Sequence, residues 1–523
     1  MSRRKSSAPP VSKRRRGDNV PAFGAPTEDD ASLLQPSRFP ISTALSTRIL
    51  TQKATVPSLS SLAARCFVTH VQALSENERS WAYSKRYLKR LPDILVPRLF
   101  SMLRSSCPTL LSHGLIVLYF LRGPSLVLSS DLPGVQRQTI TSVAHNTALR
   151  ELYLIGFDKF ADTVFVSILA SLPQLRILVL RGCSKVGTKT AEVIGNACPS
   201  LTTLNLNYTS VPPVSLLGPL TSCANLEVLK VAGIQNWTDA TFAKLLAGLT
   251  QGQPDMTLPH MKTLKFRQLG LSDTSMHTFI ALCPHLTRLD VSFTRLHRPP
   301  LSIVTPAYAL EKMSLTSTVL SSTDVVSLIS TLPNLQTLYL GALGSGQCSS
   351  SSIGNISAMT MTDDTLIWLT EALEKFEHLE KLSLVGNTKL GLTSRHDEHG
   401  PLANLILRVG RKCKHLNLSG LPYLQSRDLC GLVSESVHDS PPRLEELALN
   451  NTGIDDDAAP YLACCSSLVL LEIAGTKLTS SGLFPVIDAC TNLEKLDLTS
   501  CRGIKVADRR RFFEVWESEW KKI

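Results

Sequence analysis

The sequence predicts an α/β solenoid of horseshoe shape, with a parallel sheet on its concave side, a helical N-terminal cap and a disordered, basic N-terminal tail. Three observations lead there. The string LxxLxL recurs thirteen times, the spacing between copies is nearly constant, and small polar residues return at a fixed distance behind it.

The copies begin at Leu149, Leu175, Leu201, Leu226, Met261, Leu286, Leu310, Leu335, Leu379, Cys413, Leu444, Leu468 and Leu493, and eight of the twelve intervals are 24 to 26 residues. That is the period of leucine-rich repeats, and the four longer intervals carry insertions. In LxxLxL the alternating leucines of a short strand point inward while their neighbours point out, after which the chain turns and returns as a helix. One such unit cannot bury its apolar face alone, so the copies must stack. The eighth residue after the first Leu is Cys183, Thr209, Thr294, Thr318, Asn387, Thr452, Thr476 or Cys501. Small polar groups of this kind satisfy backbone atoms of the turn inside the stack.

A third column identifies the kind of repeat. Cys198, Cys223, Cys283, Cys465 and Cys490 lie three residues before a first Leu, Cys413 takes the Leu place itself, and Thr238-Asp239, Ser272-Asp273 and Thr362-Asp363 open helices. This pattern, over about residues 126–505, resembles the cysteine-containing leucine-rich repeats of F-box receptors and ribonuclease-inhibitor-like proteins. The resemblance implies a non-catalytic protein-binding surface without a cofactor.

The flanks differ from the repeats. Residues 1–57, rich in Ser, Pro, Arg and Thr, lack the apolar content to offset the entropy of ordering. Residues 58–125 show helical apolar spacing around Leu62 and Cys66, Leu91 to Leu99, and Leu110 to Leu121, and form the cap. At the other end, residues 506–523 carry Phe512, Trp516 and Trp520 at helical spacing, as a capping helix would. The Gly/Ser-rich run from Gly341 to Ser357 reads as a mobile loop.

Composition narrows the function. The net charge of +11 is concentrated: Arg3, Arg4, Lys5, Lys13, Arg14, Arg15 and Arg16 supply seven of it, leaving +4 for the remainder. The basic character therefore belongs to a tail, and nucleic acid is not expected as a direct ligand. No apolar run reaches membrane-spanning length and no signal-peptide core follows Met1, so a nuclear or cytoplasmic protein without membrane contact is expected. Thirteen cysteines include no CxxC pair, and no HExxH, phosphate-binding loop or nucleophile elbow occurs. Neither a metal nor an enzyme activity is expected. The run Lys13, Arg14, Arg15, Arg16 reads as a nuclear import signal, or simply as a solvated charge run.

Two short segments ahead of the repeats bear on partners. SLAARC places Leu62 and Cys66 four apart on one helical face, and LPDILVPRL supplies Leu91, Pro92, Leu95 and Leu99. The first resembles the BC box by which ubiquitin-ligase receptors bind elongin C; its last aliphatic place falls on His70, with Val71 one position on. The second resembles a cullin box. Ser75 and Glu78 form a capping-box pair that restarts a helix between them, and Pro92 suits a first helical turn. Boxes in this order ahead of leucine-rich repeats resemble elongin-binding receptors and the repeat subunit of the excision-repair ubiquitin ligase. The resemblance implies a substrate receptor of a cullin-type, SCF-like ligase serving proteasomal degradation, with an elongin-C-like adaptor and a cullin as partners. A plain scaffold, with these residues as ordinary cap stripes, and a nuclear DNA-repair subunit are the alternatives.

On the concave face, strand alternation in the fourth to seventh copies presents Lys230, Lys265, Arg267, Arg288, Asp290 and Lys312 outward, flanked by Tyr153 and Tyr339. Five cations against one acid suit an acidic or phosphorylated protein segment.

Overall fold

Every copy of LxxLxL forms a strand that begins two residues after its first Leu, Met261 and Cys413 standing in for Leu in their copies. The computed structural model describes residues 58–251, 256–300, 309–342, 361–393, 400–433, 440–505 and 508–509, and the backbone of 45–47. The strands in chain order are β1 (Leu45–Thr47), β2 (Ser125–Ser129), β3 (Glu151–Ile155), β4 (Ile177–Val179), β5 (Thr203–Asn205), β6 (Val228–Ala232), β7 (Thr263–Arg267) and β8 (Arg288–Asp290). They continue as β9 (Lys312–Ser314), β10 (Thr337–Tyr339), β11 (Lys381–Ser383), β12 (His415–Asn417), β13 (Glu446–Ala448), β14 (Leu470–Glu472) and β15 (Lys495–Asp497). From β2 to β15 the fourteen strands pair in chain order, all parallel, and the sheet stays open.

Register is fixed by burial. Leu152, Leu178, Leu204, Leu229, Leu264 and Leu289 face one another across neighbouring strands, each essentially solvent-free. A one-residue slip would turn that whole row to solvent. Helices such as Asp162–Leu169, Thr188–Ala197 and Asp239–Thr250 run back along the convex side and sink their own apolar stripes onto the same core. In the fourth and fifth copies that core is aromatic: Trp237, Phe242, Phe266 and Phe279 pack with ring centroids 5.1 to 5.9 Å apart, and Trp237 Nε1 donates to Val211 O (2.9 Å).

The polar columns do the bonding the sequence predicts. Thr209, Thr294, Thr318, Thr452 and Thr476 each donate their hydroxyl to the carbonyl three residues back, at 2.6 to 3.0 Å. Asn387 Nδ2 donates to Leu340 O and Leu384 O, both at 2.8 Å, and its Oδ1 accepts from Met361 N (3.1 Å). The Thr-Asp and Ser-Asp pairs do more than open helices. Asp239 accepts from Ser272 N and Ser275 Oγ of the next repeat, Asp273 from His297 N, Asp363 from Gly391 N and Thr393 N, and Asp456 from Thr479 N. Each aspartate thus ties one repeat to its successor, and Asp239 and Asp456 do so at the N-cap of the next helix.

Within residues 1–57, expected to be disordered, the structure holds one strand: β1 pairs antiparallel with β15, Leu45 opposite Asp497. Without it the outer edge of β15 would present unpaired backbone groups.

The cap is three helices, α1 (Leu59–Glu76), α2 (Glu78–Arg90) and α3 (Val96–Ser106). Ser58 caps α1. Two details differ from expectation. The restart at α2 is capped by Asn77, whose Oδ1 accepts from Ser80 N (3.1 Å), while Ser75 Oγ donates back to Gln72 O and so completes α1 instead. Pro92 lies in the turn ahead of α3, and Pro97 occupies that helix's first turn. Val96, Phe100 and Leu103 bury α3 against the first repeat, and Arg104 Nη1 donates to Val127 O on β2 (2.9 Å). Phe512, Trp516 and Trp520, and all of the Gly/Ser-rich run beyond Ala342, lie outside the described residues.

Candidate functional site

Two surfaces remain once the core is accounted for. On the cap, α1 turns Ser61, Val68 and Val71 toward the body, which leaves Leu59, Leu62 (45% exposed) and Cys66 as an outer stripe. His70 Nδ1–H donates to Cys66 O (2.8 Å), and Val71 is buried. The aliphatic place of the first box is therefore filled by neither residue as an exposed apolar group.

Beside this stripe, α1, α2 and α3 enclose a groove of about 320 Å³, whose lining includes Phe67, Tyr87, Leu88, Leu91, Leu95 and Leu99. Leu91 and Leu95 are half-buried in its wall, Leu99 (6% exposed) is part of its floor, and Pro92 is exposed outside it. The structure thus brings the three leucines of the second box together and places Leu62 and Cys66 on the adjoining face of α1. Arg122 holds the α2–α3 corner, with Nη1 2.7 Å from Asp93 Oδ1 and Nη2 donating to Leu88 O. Sequence reasoning missed Phe67 and Tyr87; an aromatic four residues before Leu91 was the available signal for Tyr87.

On the concave face, the cations occupy three rows, with Arg267 by itself opposite Ala232, and Lys265, expected to project outward, is only 6% exposed. Lys230 faces Lys265, which faces Asp290; in the row beside them Arg288 faces Lys312. Asp290 therefore interrupts the ladder. Lys312 Nζ lies 5.2 Å from the centre of the Tyr339 ring, and the Arg267 guanidinium lies 4.8 Å from that of Phe293. Tyr153 sits three strands before β6 and is only 8% exposed, so it offers less contact area than expected. Burial, with Glu151 nearby, pushes its phenol up to about 12.

A second concave hollow, of about 180 Å³, lies further along, lined by Tyr339, Lys381, His415, Asn417, Glu446 and Glu472 among others. His415 Nδ1 is 2.6 Å from Glu446 Oε2, and this contact holds the Glu446 carboxyl below its ordinary range despite partial burial. The same outward positions of the ninth to twelfth copies would have pointed to it.

The cysteine column is chemically quiet. Burial pushes Cys198, Cys283 and Cys413 up to about 12 and Cys223 up to about 11, and Cys223 Sγ and Cys490 Sγ donate to Cys198 O and Cys465 O, each at 3.3 Å. A thiol so protonated is a poor nucleophile. Among the described residues no group of three or more His, Cys, Asp or Glu side chains is placed to hold a metal ion, and no helix is long and apolar enough to cross a membrane. Lys13, Arg14, Arg15 and Arg16 lie outside the described residues.

Parts of the chain are similar to known proteins. Residues 489–506 match the leucine-rich-repeat family. Over 112 residues the chain is 33% identical to a putative F-box/LRR-repeat protein 23 of Arabidopsis thaliana, an alignment covering 18% of this chain and 25% of that protein's length. Among solved structures, the yeast complex of Rad7 and Elc1 is similar at 16% identity and a TM-score of 0.48, covering 86% of this chain and 95% of that one. An internalin from Listeria monocytogenes is similar at 14% identity and a TM-score of 0.35, covering 72% and 87%. The parallel strand ladder, the recurrent Thr/Asn column and the buried cysteine column give this chain the architecture of a leucine-rich-repeat solenoid, similar to the cysteine-containing leucine-rich-repeat proteins.

Proposed function

We propose that the chain is a protein-recognition subunit, the substrate receptor of a cullin-type ubiquitin ligase. The cap docks an elongin-C-like adaptor and a cullin, and the concave cations of β6 to β9 hold an acidic or phosphorylated protein segment. Chemistry then belongs to the partners. The observation that carries the reading is the distribution of exposed apolar surface. Of twelve large hydrophobic side chains exposed among the described residues, five (Leu59, Leu62, Tyr83, Tyr87 and Ile94) fall on α1 to the start of α3, around an apolar groove. Clustered exposure of this kind marks a partner surface, whereas scattered exposure does not. The Arabidopsis relative, named for an F-box and leucine-rich repeats, is in keeping with a ligase role. Lys13 to Arg16 would direct the assembly to the nucleus.

Affinity purification with mass spectrometry tests this. Leu62 and Cys66 are exposed, so Leu62→Asp with Cys66→Asp should leave the fold intact while removing adaptor and cullin from the recovered set. Unchanged recovery of both by the double variant contradicts the reading.

A further inference from the structure

The residue seven places after each copy's first Leu takes a positive φ in twelve of the thirteen copies. Glycine fills that place at 156, 182, 233, 386, 420 and 475, as the left-handed region favours. Tyr208, Gln268 and Phe293 fill it after β5, β7 and β8, with φ of 57° to 59°. Bulky side chains are uncommon in this conformation and cluster where a site requires them. Here the rings are engaged. Phe293 lies against the Arg267 guanidinium, and the Tyr208 ring fills the space over Gly233, where an added Cβ would stand 2.4 Å from the ring.

One position earlier in three successive repeats stand Asn207, two residues past β5, and Ala232 and Arg267, the last residues of β6 and β7. Asn207 is only 6% exposed and its Oδ1 has no hydrogen-bond partner; the buried Nε of Arg267 has none either. Buried polar atoms are almost always paired, so each open one asks for an explanation. The residues that carry this acceptor and this donor stand two strand spacings apart, about 10 Å, with Ala232 on the strand between them. Lys230 and Lys265 stand on the adjoining outward positions of the same strands.

We infer that Asn207, Ala232 and Arg267, bracketed by the Tyr208 and Phe293 rings, form the anchor subsite of the concave face for an anionic side chain on an extended peptide. A backbone N–H of that peptide donates to Asn207 Oδ1, and a carboxylate or phosphate accepts from Arg267, whose plane is held by Phe293. Three residues of extended chain cover the distance between the two atoms. Ala232, with only a methyl group, keeps the floor low enough for the peptide to lie across the strands, while Gly233 makes room for the Tyr208 ring at its edge. The inference rests on the reading of the concave face as a recognition surface.

The test probes the full-length chain with seven-residue peptides of randomised flanks carrying phosphoserine, aspartate or serine at the centre. Retention of the phosphoserine arm, the aspartate arm or both above serine is expected, and which arm binds identifies the anion. Arg267→Gln should reduce that retention roughly tenfold or more. Arg267→Lys should reduce it substantially, because the charge remains but the stacked plane is lost. Lys477→Gln, an exposed cation of a distant repeat, should change nothing. Equal retention of all three arms, or full retention by both Arg267 variants, overturns the subsite. Its failure is separable from failure of the broader reading. If charge reversal at Lys265, Arg267 and Arg288 together removes cellular partners while the Arg267 variants do not, recognition stands and the anchor is elsewhere; an unchanged partner set after the triple reversal contradicts concave recognition itself.

Discussion

In the stack, Leu152, Leu204, Leu289 and Leu447 are sealed by neighbouring repeats, whereas in the cap Leu59, Leu62, Tyr83 and Ile94 stand open to solvent. Both regions are built from amphipathic elements of ordinary composition. The difference is one of neighbours: an internal repeat has a partner on each side, while the outer faces of α1 and α2 have only the groove. Burial of a leucine side chain contributes roughly 1.5–3 kcal/mol, so leaving several exposed costs stability that a partner would restore. Substitutions at the two regions should therefore separate folding from binding.

The largest effect is expected in the stack. Leu289→Asp or Leu382→Asp forces a carboxylate into a sealed row without a counter-charge and should cost at least about 4 kcal/mol, seen as loss of a cooperative thermal transition or a much lower midpoint. A tolerant variant would mean that the rows are not a continuous core.

Next is the polar column. Asn387→Ala removes three hydrogen bonds and leaves the carbonyls of Leu340 and Leu384 buried without that donor, a cost of about 2–3 kcal/mol measurable by chemical denaturation. A loss below about 0.5 kcal/mol, the noise of such experiments, would show that the turn satisfies itself another way.

These effects indicate what was readable in advance. The strands, their parallel order and the Thr/Asn/Cys columns were legible because each repeat restates the same local rule, so errors in one copy are corrected by twelve others. The cap has no such redundancy. Ser75 and Asn77 both suit a helix start, and only packing selects Asn77; Pro92 and Pro97 compete for the first turn of α3 in the same way. The Lys265–Asp290 pairing and the Lys312–Tyr339 contact were obscured for another reason: which outward side chains become neighbours depends on register across strands, not on spacing within one. The strand at Leu45–Thr47 carries no pattern of its own and is specified by the open edge of β15.

A smaller, pH-dependent difference distinguishes two aspartates. Burial alone would raise Asp456, but hydrogen bonds from Thr479 and its neighbours outweigh it and hold the carboxyl below its ordinary value. Its contribution is present above the unfolded value near 4 and is lost as pH falls through the lower folded value. Asp428 is opposite: burial raises it, so its ionisation costs stability as pH climbs from the unfolded value through the raised one. Thermal melts should show Asp456→Asn destabilising at pH 7 and less so in acid. Asp428→Asn, which keeps an acceptor for Gln425 N, should match or exceed the wild-type midpoint at pH 7, the advantage vanishing below pH of about 4. The reverse pattern would invalidate the assigned causes.

The most direct test of the contrast between sealed stack and open cap is hydrogen–deuterium exchange of the intact chain with and without purified elongin C. The account predicts slowed exchange across Leu59–Glu76 on adding the adaptor, with strands β3 to β15 unchanged. No slowing in α1 at saturating adaptor, or slowing confined to the strands, would contradict it.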